Sequence, residues 1–212
     1  MPEGARAPFG LPVVDGYRLE KRYRDALVPG GALCDADGRA RQLPRYFYQV
    51  HSWEQARDIE LSPHFCLWEF LQTDVREAPA LRTFPRYVPC AVTLLAAALE
   101  RFRDEVGTLV HVAANGGYRT PRHAVTTNAS PHCWGTAVNI FRIGDTRMDS
   151  RESIERFGAI ARETMPGVWV RPYGKTPGAT DDHLHVDFGF VVSVPHDAPG
   201  DTYNPKLFAD PM

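Results

Sequence analysis

The sequence predicts an α+β fold in a single domain, a small antiparallel sheet flanked by helices and preceded by an irregular N-terminal extension. Three observations lead there. The chain has 212 residues, one domain's worth. Two amphipathic helical stretches sit among several short strand patterns. The connections lack the regular crossover helices that a doubly wound sheet requires. Apolar residues make up 43% and charged residues 24%, an ordinary balance for a folded globule. A chain of this length buries about 70% of its unfolded surface, enough for a core without disulfide or metal staples. The expected division is an extension over 1–60, the main domain over 61–194 and a surface-wrapping tail over 195–212.

In order along the chain, Pro29-Gly30-Gly31 and Asp35-Ala36-Asp37-Gly38 are turns. The second is flanked by Ala32-Leu33-Cys34 and by Tyr46-Phe47-Tyr48-Gln49-Val50, which suggests a hairpin or meander. This part reads as a lid, an edge extension or a partner surface, without a cluster suited to chemistry. Cys66 to Leu71 opens a short helix, with Glu69 at the capping-box spacing from Cys66. The clearest helix covers 89–105. Pro89 suits its first turn, Val92, Leu95, Leu99, Phe102 and Val106 form one apolar stripe, and Gly107 stops it. A strand over 109–113 leads into the loop Asn115-Gly116-Gly117-Tyr118-Arg119-Thr120-Pro121.

Residues 136–142 alternate as a strand. Asp149 or Ser150 caps a helix over 151–164 that carries Ile154, Phe157, Ile160 and Ala161 and ends before Pro166-Gly167. Val168-Trp169-Val170 is a strand. The last strand, 183–192, puts His183, His185 and Asp187 on one face and Leu184, Val186 and Phe188 on the other.

Charge excludes some classes. Lys plus Arg number 24 and Asp plus Glu 26, for a net charge of -2. Without a basic excess, nucleic acid is not an expected partner. The longest apolar stretch, Val92 to Leu99, is broken by Thr93 and far shorter than the roughly 20 residues a membrane span needs. No signal-peptide core follows Met1, so the expectation is an untargeted chain, cytoplasmic by default or released by a non-classical route. Cys34, Cys66, Cys90 and Cys133 form no CxxC pair, so buried free thiols are expected rather than a disulfide framework or a zinc knuckle.

The residues suited to chemistry are in the second half. His183 and His185 lie two apart on a strand and therefore point into one space. Together with the distant His132 they are the raw material of a three-ligand zinc site with an open position. Zinc there would polarise a carbonyl and acidify a bound water, and Asp182 or Asp187 is placed to take the proton. Arg119, in its glycine loop, can clamp a carboxylate bidentately. His64, His111 and His123 read as structural or surface histidines, and Tyr118 and Trp134 as packing or pocket wall.

The order of these pieces adds to the reading. Gly117-Tyr118-Arg119-Thr120 is followed by Ser130-Pro131-His132-Cys133-Trp134-Gly135-Thr136-Ala137-Val138-Asn139 and then by His183-Leu184-His185-Val186-Asp187. As an ordered set this resembles the zinc D-alanyl-D-alanine carboxypeptidases (peptidase M15), which share their metal-site fold with the hedgehog signalling domain. Upstream, Ser62-Pro63-His64-Phe65 through Glu69-Phe70 resembles the entry helix of one branch. The resemblance covers residues 60–192. It implies a hedgehog-like fold and Zn2+ held by His132, residue 139 and His185. It implies that His183 assists the transition state beside the metal, that Arg119 binds the substrate's terminal carboxylate, and that Asp182 is the catalytic carboxylate, where those relatives use Glu. The implied reaction is hydrolysis of a peptide bond next to a D-amino acid in a peptidoglycan stem peptide.

Position 139 departs from that pattern. The family has Asp and this chain has Asn, which offers a carbonyl oxygen but no charge. Three outcomes are open: a weakened hydrolase, a site that recruits Cys133 or Asp187 as a ligand, or a peptide-binding scaffold without metal. A non-zinc metalloenzyme using the same histidines is a further class, since His132, His185 and an Asp imitate a facial triad.

Overall fold

The computed structural model describes residues 10–196, 198 and 199. The chain begins with β1 (Val13–Asp15), α1 (Lys21–Leu27), β2 (Ala32–Cys34), β3 (Ala40–Gln42), β4 (Tyr46–Val50) and α2 (Trp53–Asp58). It continues through β5 (Glu60–Ser62), β6 (Phe65–Cys66), α3 (Leu67–Leu71), β7 (Arg86–Pro89) and α4 (Val92–Val106). It closes with β8 (Val110–Val112), β9 (Ala137–Ile143), β10 (Thr146–Arg147), α5 (Arg151–Thr164), β11 (Trp169–Val170) and β12 (Leu184–Asp187). This is a small mixed α+β domain whose antiparallel sheets are flanked by helices.

The first part of the chain is more regular than its sequence suggests. The expected hairpin partner of 32–34 was 46–50, but β2 pairs with β3. Asp35 explains the tighter return. Its carboxylate accepts the N–H groups of Asp37 (3.0 Å) and Arg39 (2.9 Å) and the Arg41 guanidinium (2.8 Å), so the chain doubles back within the turn. β4, rich in aromatic residues, instead lies at the centre of a sheet ordered β1-β4-β7. Leu11, Val13, Phe47 and Val50 belong to the same continuous core as Leu99, Ile140 and Val186. The segment before residue 60 is thus built into the domain, where an irregular extension was expected. The tail read over 195–212 lies mostly outside the described residues.

The second sheet carries the candidate site. β9 is its axis. β12 lies antiparallel along its first half, while β8 and β10 pair with its second half. β11 extends the sheet beyond β12. α4 and α5 cover it through the Leu95, Leu99 and Phe102 stripe and through Ile154, Phe157 and Ala161. α4 starts at Val92, so Pro89 ends β7 and does not enter the first helical turn. Gly107 stops α4 in the left-handed conformation (φ 65°), as its position predicts. α3 starts after Cys66, whose N–H donates to Glu69 Oε1 at 2.8 Å, the expected box.

Of the two candidate caps for α5, Ser150 is the one used. Its hydroxyl accepts the Ser153 N–H at 3.2 Å, and the Ser153 hydroxyl in turn accepts the Ser150 N–H. Ser150→Ala is expected to lower unfolding stability by about 1 kcal/mol. A urea titration that gives the same midpoint for both proteins would refute this role.

β12 is shorter than the predicted 183–192. Asp187 Oδ1 accepts the Gly189 N–H at 2.7 Å, and Gly189 has φ +69°, so the chain turns out of the sheet there. His183 precedes the strand and does not belong to it.

Candidate functional site

Strand register brings the two central residues together. Asn139 on β9 is the cross-strand partner of His185 on β12. Asn139 Oδ1 and His185 Nδ1 are 2.8 Å apart. The other ring nitrogen, Nε2, lies 2.9 Å from Asp187 Oδ2. Burial outweighs the adjacent Asp187 carboxylate and, helped by the Arg171 charge, lowers the His185 pKa to about 4. The imidazole is therefore neutral at pH 7, and its contact with Asp187 is a hydrogen bond, not an ion pair.

A neutral imidazole has one N–H. The carboxylate of Asp187 accepts only, so Nε2 carries the proton and donates it there. Nδ1 is then a bare lone pair facing the amide oxygen of Asn139. Two acceptors at 2.8 Å repel unless a cation joins them, or unless the amide turns over and donates its NH2 to Nδ1. The first arrangement is that of two ligands of one metal with an outer carboxylate orienting the histidine.

His132 completes the group from another direction. It sits in a short 3-10 helix, Pro131–Trp134, that ends at Gly135 in the left-handed conformation. Its ring is 5.2 Å from that of His185, centroid to centroid. Nδ1 donates to the Gly117 carbonyl at 2.8 Å, which leaves Nε2 as the remaining ligand atom. Burial, reinforced by the charge of Arg119, pushes its pKa well down, so this histidine too is neutral. Glycine is required at 117. A Cβ there would come within 2.4 Å of the Phe70 carbonyl oxygen, because the loop packs its backbone onto the end of α3.

Arg119 follows in the same loop. Its guanidinium is largely buried, and burial lowers its pKa to about 10. Its Nε finds no hydrogen-bond partner among the described residues. A buried cation without a matched anion is costly, and a ligand carboxylate would relieve that cost. His183 lies 6.4 Å from His185 between ring centroids, and its Nδ1 is 2.5 Å from Asp182 Oδ1. Burial lowers the His183 pKa against the opposing pull of Asp182. The Asp182 side chain is 79% exposed.

The two substitute ligands considered for position 139 are otherwise engaged. Cys133 is adjacent to His132 in sequence, but its side chain enters a separate small cluster with Leu43 and Trp134. Burial there raises its thiol pKa to about 12, unsuited to a thiolate ligand. Asp187 stands behind His185 as its hydrogen-bond acceptor. Trp169 and Arg171 were not singled out by sequence. The Trp169 ring lies 5.8 Å from that of His185, and the Arg171 charge acts on His132, His183 and His185. β11 carries Trp169, and Arg171 follows directly after it.

His111 hydrogen-bonds Arg142 at 3.1 Å, and buried His123 hydrogen-bonds Asn115 at 3.0 Å, both in structural roles. His64 is different. His64, Glu100 and Asp104 bring their ligand atoms within 4.8 Å of one another, a cluster capable in principle of coordinating a metal. Among the described residues it is the one such trio of His, Cys, Asp or Glu. His132 and His185 belong to no such trio among the described residues.

No family model, curated protein or solved structure matches this chain. No helix among the described residues is long and apolar enough to cross a membrane.

Proposed function

We propose that this chain is a peptide-binding relative of the zinc D-alanyl-D-alanine carboxypeptidases. Its metal centre is weakened, so it holds a peptidoglycan-type stem peptide more effectively than it cleaves it. The observation that carries this reading is the convergence of His132 on the Asn139 and His185 pair, whose polar atoms are 2.8 Å apart, together with Arg119, whose Nε has no hydrogen-bond partner among the described residues. His132, Asn139 and His185 fit a zinc ion as neutral ligands. When bound, zinc would supply a Lewis acid for the scissile carbonyl and a more acidic water.

The weakening has two sources. Two imidazoles and an amide bring no negative charge to a doubly charged ion. Asp182 is one methylene shorter than the Glu that the resemblance implies, and it is held against His183. Arg119 anchors the peptide's terminal carboxylate by a charge-assisted pair. Asp182 takes a proton and passes it toward the leaving amine, and His183, whose Nδ1 faces Asp182, orients that carboxylate.

The test is a calorimetric titration with a peptide ending in D-Ala-D-Ala, as the free acid and as the C-terminal amide. The acid should bind about 10- to 100-fold more tightly, the span of a hydrogen bond to a charged group. Arg119→Gln should abolish the difference. Equal affinity for acid and amide would overturn the carboxylate anchor. Release of D-Ala by the zinc-loaded protein at an ordinary enzymatic rate, about 1–1000 per second, would reject the weakened centre in favour of a competent hydrolase.

A further inference from the structure

Glu100 and Asp104 stand one turn apart on α4, on the same face of the helix. His64 reaches them from the turn between β5 and β6. Its backbone N–H donates to Glu100 Oε2 at 3.0 Å, and its Nδ1 hydrogen-bonds the other oxygen of that carboxylate. Two contacts from one residue orient both partners before any ligand arrives. Ser62, on β5, lies near enough to Glu100 to help hold that carboxyl charged.

We propose that His64, Glu100 and Asp104 form a second divalent-cation site that fastens the β5–β6 turn to α4. One imidazole nitrogen and two carboxylate oxygens suit zinc and its neighbours cobalt and nickel better than magnesium or calcium, which favour oxygen alone. Ligand atoms on a tetrahedral zinc lie roughly 3.3 Å apart, given bonds of about 2.0–2.1 Å. The trio, already within 4.8 Å, needs only small side-chain adjustments. The nearest competitor is Arg103, 3.6 Å from Asp104 in a pair whose acid is 66% exposed. Such surface pairs contribute little and yield easily.

The site has two consequences. It carries two negative charges where the His132, Asn139 and His185 set carries none, so it takes the first zinc ion. It also steadies the platform of the Arg119 loop. β6 runs directly into α3, and the Phe70 and Gln72 carbonyls accept the N–H groups of Tyr118 (2.8 Å) and Asn115 (2.7 Å).

The test is zinc titration of the full chain by calorimetry, with melting curves, for wild type, His64→Gln, Asp104→Asn and His132→Gln. The two surface variants should each lose the tightest zinc equivalent and the associated rise in melting temperature. Their metal-free melting temperatures should match wild type, which shows that they fold. His132→Gln should keep that equivalent, so failure of the peptide-site reading is distinguishable from failure here. Unchanged tightest-site binding in both His64→Gln and Asp104→Asn would overturn the proposal.

Discussion

Asn139→Asp raises the zinc affinity of the His132 and His185 site by about 10- to 100-fold, a scale on which even outer partners of a metal ligand act. The amide oxygen lies 2.8 Å from His185 Nδ1, and a carboxylate placed there adds a full negative charge beside the ion. Competition against a chelating dye measures the change, best done with His64→Gln in the background so that the helix α4 site does not mask it. Release of D-Ala from a stem peptide should rise in parallel. The metal-free variant offers an independent readout. A carboxylate against Nδ1 stabilises the imidazolium, so the pKa of His185 should climb from about 4. If neither zinc affinity nor that pKa moves, Asn139 does not face His185 in solution and the site as described is wrong.

The second large effect is acid sensitivity of the metal-free protein. His185 titrates near 4 when folded, against about 6.5 in an unfolded chain. Between those values the unfolded state binds more protons, so stability rises with pH. His185 therefore leaves stability intact above pH 6.5 and removes it progressively as pH falls toward 4. The full loss is about 3 kcal/mol, from 1.36 kcal/mol per pKa unit. His132, whose pKa burial also depresses, acts with the same sign. Urea midpoints in chelator-treated protein between pH 7 and 4 would show the loss, and His132→Gln should flatten the slope. A stability that is level from pH 7 to 4 would contradict the burial of neutral imidazoles at this site.

Much of the chain beyond residue 60 was legible because local signals there agree with the tertiary arrangement. The stripe from Val92 to Phe102 and the Ser150 cap both mark helices that the core then uses. The first sixty residues were harder. The turn at Asp35 to Gly38 returns through 40–42, where 46–50 was expected. The Asp35 carboxylate decided it through hydrogen bonds to groups two, four and six residues away.

The site divides in the same way. Residue types and spacing along the chain pointed to His132, His183, His185, Asp182 and Arg119, because ligand chemistry and two-residue spacing are local properties, and the resemblance of the ordered motifs added Asn139. Tertiary structure alone decided which atoms meet. The β9–β12 register sets Asn139 opposite His185, the turn at Gly189 places Asp187 as acceptor behind the histidine, and the fold leaves the Arg119 Nε without a hydrogen-bond partner among the described residues. It also joined His64 to Glu100 and Asp104 across 36 residues. No periodicity encodes a contact between a hairpin turn and a distant helix face, since it arises from how the two elements pack.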